Sequence, residues 1–255
     1  MREWISGRNP IYEVLRAKRR QVFRLRLAEG LQETERISEI LRECALRKAP
    51  VERVRRSALD SLAENHQGLA LEVSAYPYAA LSDILAKASR LREPAFILAL
   101  DTLQDPQNLG TLLRTAEAVG VHGVLLPLKR TATVTPAVVH ASSGACEHLL
   151  ITQVNLAQAL AELKRQGIWV AGLENHPGAQ DLTQARLEGP LAVVVGNEAE
   201  GMRALVRESC DLLLRLPMVG KVESLNAAVA GSIALYFVWQ DRMKRNLAID
   251  GLPES

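Results

Sequence analysis

The sequence predicts an α/β protein of two domains, a small one at the N-terminus and a larger one after it. Three observations support this prediction. Strand-like and helix-like segments alternate between residues 22 and 73, a continuous apolar run starts at Ala95, and similar short apolar runs recur as far as Leu216. Alternation of this kind is typical of sheets with parallel strands. A chain of 255 residues is long enough to bury the core of one large or two modest domains.

The predicted small domain spans residues 1–75. Apolar residues at helical spacing indicate a first helix through Ile11, Val14 and Leu15. The other predicted elements are a half-buried strand at 22–27, a helix at 33–48, a strand at 51–54, a helix at 57–63 and a strand at 68–73. Tyr76-Pro77-Tyr78 ends this domain, since proline cannot continue a hydrogen-bonded ladder. Residues 76–94 form a linker that contains a predicted helix.

The predicted large domain spans residues 95–255. Its short apolar runs indicate strands that are buried on both faces, as in a mostly parallel sheet. These strands are predicted at 95–100, 123–126, 168–173, 191–195 and 212–216, with helices at 110–118 and 156–166 among them. In such sheets ligands bind at the carboxyl ends of the strands. The loops after Leu100, Val195 and Leu216 are therefore the candidate sites.

Composition excludes several classes of protein. Apolar residues make up 48% of the chain and charged residues 24%, as in ordinary globular proteins. No apolar run approaches the ~20 residues that cross a bilayer, and the N-terminus lacks a signal-peptide core, so we expect no membrane partner. The three cysteines, Cys44, Cys146 and Cys210, are scattered and odd in number. This pattern argues against disulfides and metal ligation, and it favours a reducing, cytoplasmic location.

Charge is unevenly distributed along the chain. Residues 1–92 hold 18 lysines and arginines against 12 acidic residues, a net charge of +6, whereas residues 93–255 have a net charge of −4. A basic segment joined to a mildly acidic domain is consistent with a nucleic-acid-binding appendage on a catalytic domain. A solvated helical surface explains the same charges equally well.

The first candidate loop runs from Asp101 to Gly110 and leads to Arg114 in the following helix. Taken alone, it has a structural explanation, in which the Asp-Pro pair forms a turn, Asn108 caps the helix and Arg114 pairs with Glu117. A functional explanation is also open. It places an amide and a guanidinium at the carboxyl end of a buried strand.

The other two loops have the same two explanations. Gly196 permits a sharp exit from its strand and a close approach to a ligand, but the loop lacks the Gly-x-Gly-x-x-Gly pattern of a dinucleotide site. The third loop, after Leu216, leads into a helix predicted to start near Leu225, with Ser224 as its N-cap and Asn226 in its first turn. That helix is rich in small side chains, which allow another backbone to approach closely.

Together the three loops carry a specific resemblance. Asp-Pro-x-Asn-x-Gly-x-x-x-Arg-Thr-Ala, Gly-Asn-Glu-x-x-Gly and Pro-Met-x-Gly-x-x-Glu-Ser-Leu-Asn resemble, in order, the three motifs of the SpoU/TrmH family of SPOUT RNA methyltransferases. Each motif follows a predicted buried strand. His66-Gln67-Gly68 and the segment around Ser143-Gly144-Ala145 also resemble segments of this family. The first of these closes the family's small substrate-binding domain, whose fold is similar to an RNA-binding ribosomal protein.

The resemblance implies a catalytic domain with a deep C-terminal trefoil knot, a rare exception to the rule that chains do not thread loops. It implies S-adenosyl-L-methionine as the cofactor, held largely by backbone groups at Gly196, Leu216, Met218 and Leu225. It also implies a homodimer, for which the helix at 225–237 is the natural contact surface. No metal is implied.

The implied reaction is methyl transfer to a ribose 2′-hydroxyl in folded RNA. In the family, residues that match Asn108, Arg114, Glu198, Ser224 and Asn226 surround this event. The residue that matches Arg114 is assigned the activating role. Because a guanidinium is hard to deprotonate, we interpret Arg114 as a holder of phosphate and oxyanion and treat its role as a base as a hypothesis.

The substrate that the resemblance favours is ribosomal RNA, with a guanosine of 23S RNA as the target. SpoU enzymes that act on tRNA often lack the separate small domain, but a tRNA 2′-O-methyltransferase is the first alternative. A non-catalytic RNA-binding protein on the same fold is the second, although the complete set of motif residues weighs against it. The residues expected to contact RNA phosphates are Arg8, Arg16, Lys18, Arg19 and Arg20.

Overall fold

Two β-sheets organise the chain, which we describe from a computed structural model. The described residues are 2–63, 65–197, 200–222 and 224–250, with the last six of these described by their backbone alone. Contacts divide the chain into two units. The small unit comprises Met1–Pro77 and Thr133–His148, and the large unit comprises Tyr78–Ala132 and Leu149–Ser255.

The elements alternate along much of the chain, as the sequence predicts. The strands are β1 (Arg2–Ser6), β2 (Val22–Ala28), β3 (Val51–Val54), β4 (Leu69–Ser74), β5 (Phe96–Leu100), β6 (Gly123–Pro127), β7 (Leu150–Val154), β8 (Trp169–Leu173), β9 (Gln180–Asp181), β10 (Leu191–Val195) and β11 (Leu212–Arg215). The α-helices are α1 (Arg8–Ala17), α2 (Glu35–Leu46), α3 (Arg56–Asp60), α4 (Leu81–Leu91), α5 (Pro106–Ala118), α6 (Pro136–Ala141), α7 (Leu156–Arg165), α8 (Ala204–Glu208) and α9 (Ala227–Asp250). Short 3-10 helices span Ala145–His148 and Leu182–Gln184.

The small unit is built on a four-stranded mixed sheet in the order β1-β4-β2-β3. Strand β4 is antiparallel to both of its neighbours, and β2 is parallel to β3. Helix α1 buries Ile11, Val14 and Leu15, the residues whose spacing predicted it, and packs on α2. Strand β1 was not predicted, because Arg2 and Glu3 begin it and only its last two residues are buried.

Residues 133–148 lie with the small unit rather than with the sheet domain of the predicted range 95–255. Helix α6 packs on β1, and the 3-10 helix at Ala145–His148 packs on α1. Gly144 has a φ of +88°, and a Cβ there would lie 2.6 Å from Cβ of Glu13. A glycine is therefore needed at this contact. The linker also differs, since α4 within the predicted 76–94 belongs to the large unit.

A buried ion pair holds this segment to the rest of the small unit. The Arg20 side chain is fully buried, and its guanidinium donates to both carboxylate oxygens of Glu147, at 3.0 and 2.7 Å. It also donates to Glu3 at 2.8 Å. The prediction that Arg20 contacts RNA phosphate is therefore wrong, because no part of its side chain reaches solvent.

Arg19 is engaged in the same way. Its guanidinium donates to the hydroxyl of Tyr76 at 3.0 Å and to the carbonyl oxygens of Glu147 and Pro77 at 3.1 and 2.9 Å. The guanidinium of Arg19, which we predicted to contact an RNA phosphate, is therefore already hydrogen-bonded within the small unit. Of the five predicted phosphate contacts, Arg16 and Lys18 are exposed.

The large unit is built on seven strands in the order β7-β6-β5-β10-β8-β11-β9, all parallel. Its central strands β5 and β10 are buried along their whole length, as their apolar sequences predicted. Two strands were not predicted. β7 carries Thr152 and Gln153, which interrupt its apolar run, and β9 is only two residues long.

Helix α9 packs on α5 and β10 through its small residues. A Cβ on Gly231 would lie 2.6 Å from Cδ2 of Leu112 and 3.1 Å from Cγ2 of Val195. The small side chains predicted as an intersubunit contact surface therefore pack inside the unit. The exposed side of α9 instead carries large apolar residues, namely Val229, Tyr236, Trp239 and Met243.

Two kinds of feature are absent from the described residues. Within the described ranges, no helix combines the length and apolar character needed to cross a bilayer. No three histidine, cysteine or acidic side chains among those residues converge in a way that could hold a metal ion.

Candidate cofactor and active site

A cavity opens at the carboxyl ends of β8, β10 and β11. Its volume is about 690 Å³ when the space open to solvent is included. All four residues expected to hold the cofactor line it, namely Gly196, Leu216, Met218 and Leu225. Ser224 lines it as well. The cavity thus gathers residues from the second and third motif loops.

The loop after β10 folds back on itself at the cavity. Asn197 and Gly201 exchange two backbone hydrogen bonds of 3.0 and 2.9 Å. A Cβ on Gly196 would lie 2.4 Å from the carbonyl carbon of Gly201, which is closer than any side chain permits. The close turn therefore requires glycine at this position. Glu198, predicted as a catalytic residue in this loop, lies outside the described residues.

A buried carboxylate joins the first and second motif loops. Asp101, at the end of β5, accepts hydrogen bonds from the backbone N–H and from Nε of Arg203, both at 2.8 Å. The side-chain amide of Asn197 donates to the carbonyl of Thr102 at 3.0 Å. The Asp101 carboxylate has no exposed surface, whereas the Arg203 side chain is 46% exposed. The two loops are thus fixed to each other.

The first motif loop enters α5 earlier than predicted. Asp105 is the N-cap and accepts hydrogen bonds from the backbone N–H groups of Gln107 and Asn108, and Pro106 is the first helical residue. Asn108 is therefore inside the first turn rather than at the cap. Its side-chain oxygen accepts a hydrogen bond of 3.1 Å from Nδ2 of Asn226.

The cap of α9 also differs from the prediction. Asn226 accepts hydrogen bonds from the N–H groups of Ala228 and Val229, at 3.0 and 3.1 Å. Asn226 is thus the N-cap, and α9 begins at Ala227 rather than near Leu225. This frees Ser224, which is exposed, to line the cavity instead of capping the helix.

Arg114 lies on α5 and is exposed, and it does not line the cavity. Of the five predicted catalytic residues, the structure brings together Asn108 and Asn226 by a direct bond and places Ser224 two residues before Asn226. The arrangement joins the first and third motifs at the cavity margin.

One edge of the cavity was not predicted from the sequence. Leu173, Glu174 and Asn175 line it at the end of β8, and Arg215 lines it at the end of β11. Glu174 is held by Arg207, whose Nε donates to its carboxylate at 2.7 Å. The loop after Leu173 also follows a predicted buried strand, and that signal was available to find it.

Comparison with known proteins agrees with the motifs. Residues 95–236 match the model of the SpoU rRNA Methylase family, and residues 4–79 match the model for RNA 2′-O ribose methyltransferase substrate binding. The chain is 39% identical over 244 residues to YacO of Bacillus subtilis, assigned to the TrmH family of tRNA/rRNA methyltransferases. That match covers 94% of this chain and 96% of YacO.

Solved structures share the fold. The SpoU methyltransferase AviRb from Streptomyces viridochromogenes, solved with AdoMet, has a TM-score of 0.79 at 24% identity and covers 95% of this chain and 91% of its own. A protein studied for 2-OH methylation of C/U34 on tRNA has a TM-score of 0.54 at 27% identity. The latter match covers 60% of this chain but 99% of that protein.

The family prediction is therefore confirmed for most of the chain. The match at 95–236 contains all three motif loops and the cavity between their strands, and the match at 4–79 contains the small sheet. The chain belongs to the SpoU rRNA methylase family of RNA methyltransferases.

Proposed function

We propose that the protein transfers a methyl group from S-adenosyl-L-methionine to a ribose 2′-hydroxyl in RNA. The observation that carries this proposal is the cavity at the ends of β8, β10 and β11. Residues from two motif loops line it, and the bonded pair Asn108–Asn226 brings the remaining motif loop to the same edge of the sheet. Ligands of parallel sheets bind at this edge.

The residues of the cavity fit the cofactor. Leu173, Val195, Leu216 and Leu225 offer apolar surface suited to a purine ring, while Glu174 and Asn175 offer polar groups suited to an amino acid moiety. When bound there, S-adenosyl-L-methionine supplies an activated methyl group on a sulfonium. The close turn at Gly196 keeps this wall of the cavity free of side-chain atoms.

The residues around the cavity suit a reaction at a hydroxyl, which is a poor nucleophile and must be positioned and relieved of its proton. Asn108 and Asn226 present amides that orient the ribose, and Ser224 adds a hydroxyl at the cavity wall. Arg114 holds a phosphate next to the reacting sugar. Glu198 orients Arg114 or the ribose. These roles rest on the positions of the motif residues and on family membership.

Ribosomal RNA is the substrate that we favour, with a guanosine of 23S RNA as the proposed target. The small unit supports this choice, because residues 4–79 match a substrate-binding model and form a sheet of their own. The tRNA-methylating protein in the comparison corresponds to only part of this chain. A tRNA substrate is the alternative, since YacO is assigned to a family that acts on either RNA.

The working form that we propose is a homodimer in the cytoplasm. The exposed side of α9 supports the dimer, because Tyr236 and Trp239 are 51% and 39% exposed and lie edge to face 5.8 Å apart. Large exposed aromatic residues in one patch are typical of protein interfaces. Light scattering should give twice the chain mass for the wild type and a smaller mass for Tyr236→Glu. The C-terminal knot expected from the sequence follows from family membership.

One experiment tests the proposed reaction. Purified protein, tritiated S-adenosyl-L-methionine and total RNA from a strain lacking the gene are incubated, and the RNA is separated by size and digested to nucleosides. Label in 23S RNA as 2′-O-methylguanosine is the expected result. Label in tRNA would support the proposed methyl transfer but contradict the proposed ribosomal RNA substrate. Absence of label from a protein that binds the cofactor would favour a non-catalytic role.

A further inference from the structure

A second cleft, in the small unit, contains polar groups that the proposed reaction does not use. It is lined by Arg56, Asp60, Asn65, His66, Gln67 and His140. We call it the His66 cleft. All of its residues belong to the small unit, which includes His140 through the segment 133–148. Its volume is about 1180 Å³ including its open side.

The floor of the cleft is a fixed turn. His66 is buried, and its Nδ1 accepts a hydrogen bond from the N–H of Gly68 at 2.9 Å. Nε2 therefore carries the proton and donates to Asp60 at 2.9 Å. Asn65 and Gln67 both have left-handed backbones, with φ of +54° and +52°. Such conformations are uncommon in residues with side chains and cluster at ligand-binding sites.

Two buried nitrogen atoms, one on a residue that lines the cleft and one on a residue bonded to it, have no partner among the residues that the structure describes. They are Nδ1 of His140 and Nε of Arg8. The backbone N–H of Arg8 donates to Oε1 of Gln67 at 3.0 Å, so Arg8 adjoins the cleft. Buried polar atoms are nearly always hydrogen-bonded, so each unpaired one needs an explanation, and a partner supplied by a bound molecule is one.

Three arginines of the small unit that have no acidic partner among the described residues lie close in sequence to the His66 cleft. Many arginines on its strands are neutralised, such as Arg24 and Arg26, which both pair with Glu52 at 3.1 and 3.0 Å. Arg53, Arg55 and Arg56 are exposed, and across the described ranges their guanidinium groups form no hydrogen bond or ion pair. These three cations precede the cleft in the sequence, and Arg56 lines it.

We propose that the His66 cleft binds an unpaired nucleotide of the RNA substrate, with Arg55 and Arg56 at its phosphates and His140 and Gln67 at its base. Unpaired cations attract the phosphate backbone, and imidazole and amide groups can hydrogen-bond or stack on an unstacked base. This inference rests on the proposed function, since it names a second contact for the same RNA, in the small unit. It adds Arg55, Arg56, Gln67 and His140 to the RNA contacts expected from the sequence.

Filter binding of an in vitro 23S RNA transcript tests the proposal, with Arg56→Gln and His140→Ala as variants. Arg42→Gln is the matched control, because Arg42 is also an exposed arginine of the small unit and does not line the cleft. We expect Arg56→Gln to weaken binding about fivefold or more and to lower the salt slope by about one, since one phosphate contact is lost. His140→Ala should weaken binding with an unchanged salt slope.

The outcomes separate this inference from the proposed function. If the wild type binds RNA and both cleft variants bind equally well, the cleft is not a contact. The same conclusion follows if Arg42→Gln loses as much affinity as Arg56→Gln. If the wild type binds the cofactor but no RNA, the proposed function also fails.

A second measurement uses only the wild-type protein, so its result does not depend on whether a variant folds. Cross-linking of the wild type to RNA that contains 4-thiouridine should label peptides from residues 53–67 or 133–148. Cross-links confined to the large unit would overturn the inference.

Discussion

Asn226 donates a hydrogen bond of 3.1 Å to Asn108, although the two residues lie 118 positions apart. Each also belongs to a helix start, since Asn226 caps α9 and Asn108 occupies the first turn of α5. The bond therefore joins two helix N-termini as well as two motifs. Helix N-termini carry partial positive charge, which favours an anionic group nearby.

Replacement of Asn226 should separate its two roles. Asn226→Ala removes the cap and the bond to Asn108, and we expect it to lower the free energy of unfolding by about 1 kcal/mol. Asn226→Asp keeps a good capping group but loses the N–H donor, so it should be nearly as stable as the wild type. Both variants should lose methyltransferase activity. Urea unfolding and tritium transfer measure the two effects, and an active, stable Asn226→Ala would contradict both roles.

Gly196→Ala should damage the cavity. Because its Cβ would meet the backbone of Gly201 at 2.4 Å, the turn must shift, at a cost of about 1–3 kcal/mol. Because the shifted turn forms part of the cavity wall, the affinity for the cofactor should also fall, as measured by isothermal titration calorimetry. Gly189→Ala is the control, since a Cβ there meets no atom within 4 Å. Equal affinity in the two variants would show that the turn does not shape the cavity.

Arg114→Lys tests what the guanidinium does. Lysine keeps the charge but loses the planar fork of donors, so a phosphate held by two hydrogen bonds would be positioned less well. We expect kcat to fall about tenfold or more, with cofactor affinity unchanged, because Arg114 does not line the cavity. Rates near those of the wild type would exclude a special role for the guanidinium.

Arg20→Met should destabilise the protein strongly. It leaves the buried carboxylate of Glu147 without its cation, a loss that typically costs about 3–5 kcal/mol. The control Arg16→Met breaks a pair whose arginine is 65% exposed, so its effect should stay within about 1 kcal/mol. Chemical denaturation compares them. Similar midpoints would contradict the expected cost of leaving Glu147 without its cation.

His122 should make stability depend on pH. It is buried, Nδ1 accepts from the N–H of Phe96 at 2.9 Å, and Nε2 lies 3.1 Å from Glu93. Burial lowers the pKa of His122 below its usual 6.5, although Glu93 opposes the shift. A lowered histidine pKa means that its contribution is present above about pH 6.5 and is lost as pH falls, because protonation then breaks the bond to Phe96.

The comparison that checks this uses melting temperatures at about pH 7.5 and about pH 5.5. The wild type should lose more stability on acidification than His122→Gln, which keeps an acceptor but cannot titrate. His176→Gln, at an exposed site, should behave as the wild type does. Equal losses in the wild type and His122→Gln would exclude His122 as the source.

The fold was most predictable where strands are buried on both faces. The predicted ranges 95–100 and 191–195 match β5 and β10 within one residue, because every position there is apolar. Strand β9 could not be found in this way, since two residues carry no periodicity. The sheet order was also unpredictable, because hydrogen bonding between distant strands leaves no local pattern.

The sequence motifs predicted part of the lining of the candidate site. Leu216, Met218 and Leu225, which the resemblance assigns to the cofactor, line the cavity, while Glu174 lies after a strand with no motif. The burial of Arg20 in an ion pair could not be predicted, for another reason. Its partner Glu147 lies 127 positions away, so local sequence could present the arginine only as a free cation.

The small unit is discontinuous in sequence, and this affects how such enzymes can be recombined. A fragment that ended at Pro77 would leave Arg20 without Glu147 and the Tyr76 hydroxyl without its acceptor, the carbonyl of Cys146. Exchange of substrate-binding modules between relatives therefore requires two crossovers, one on each side of residues 133–148, in addition to the junction near Pro77. A chimaera made with a single junction would inherit one half of a buried ion pair from each parent.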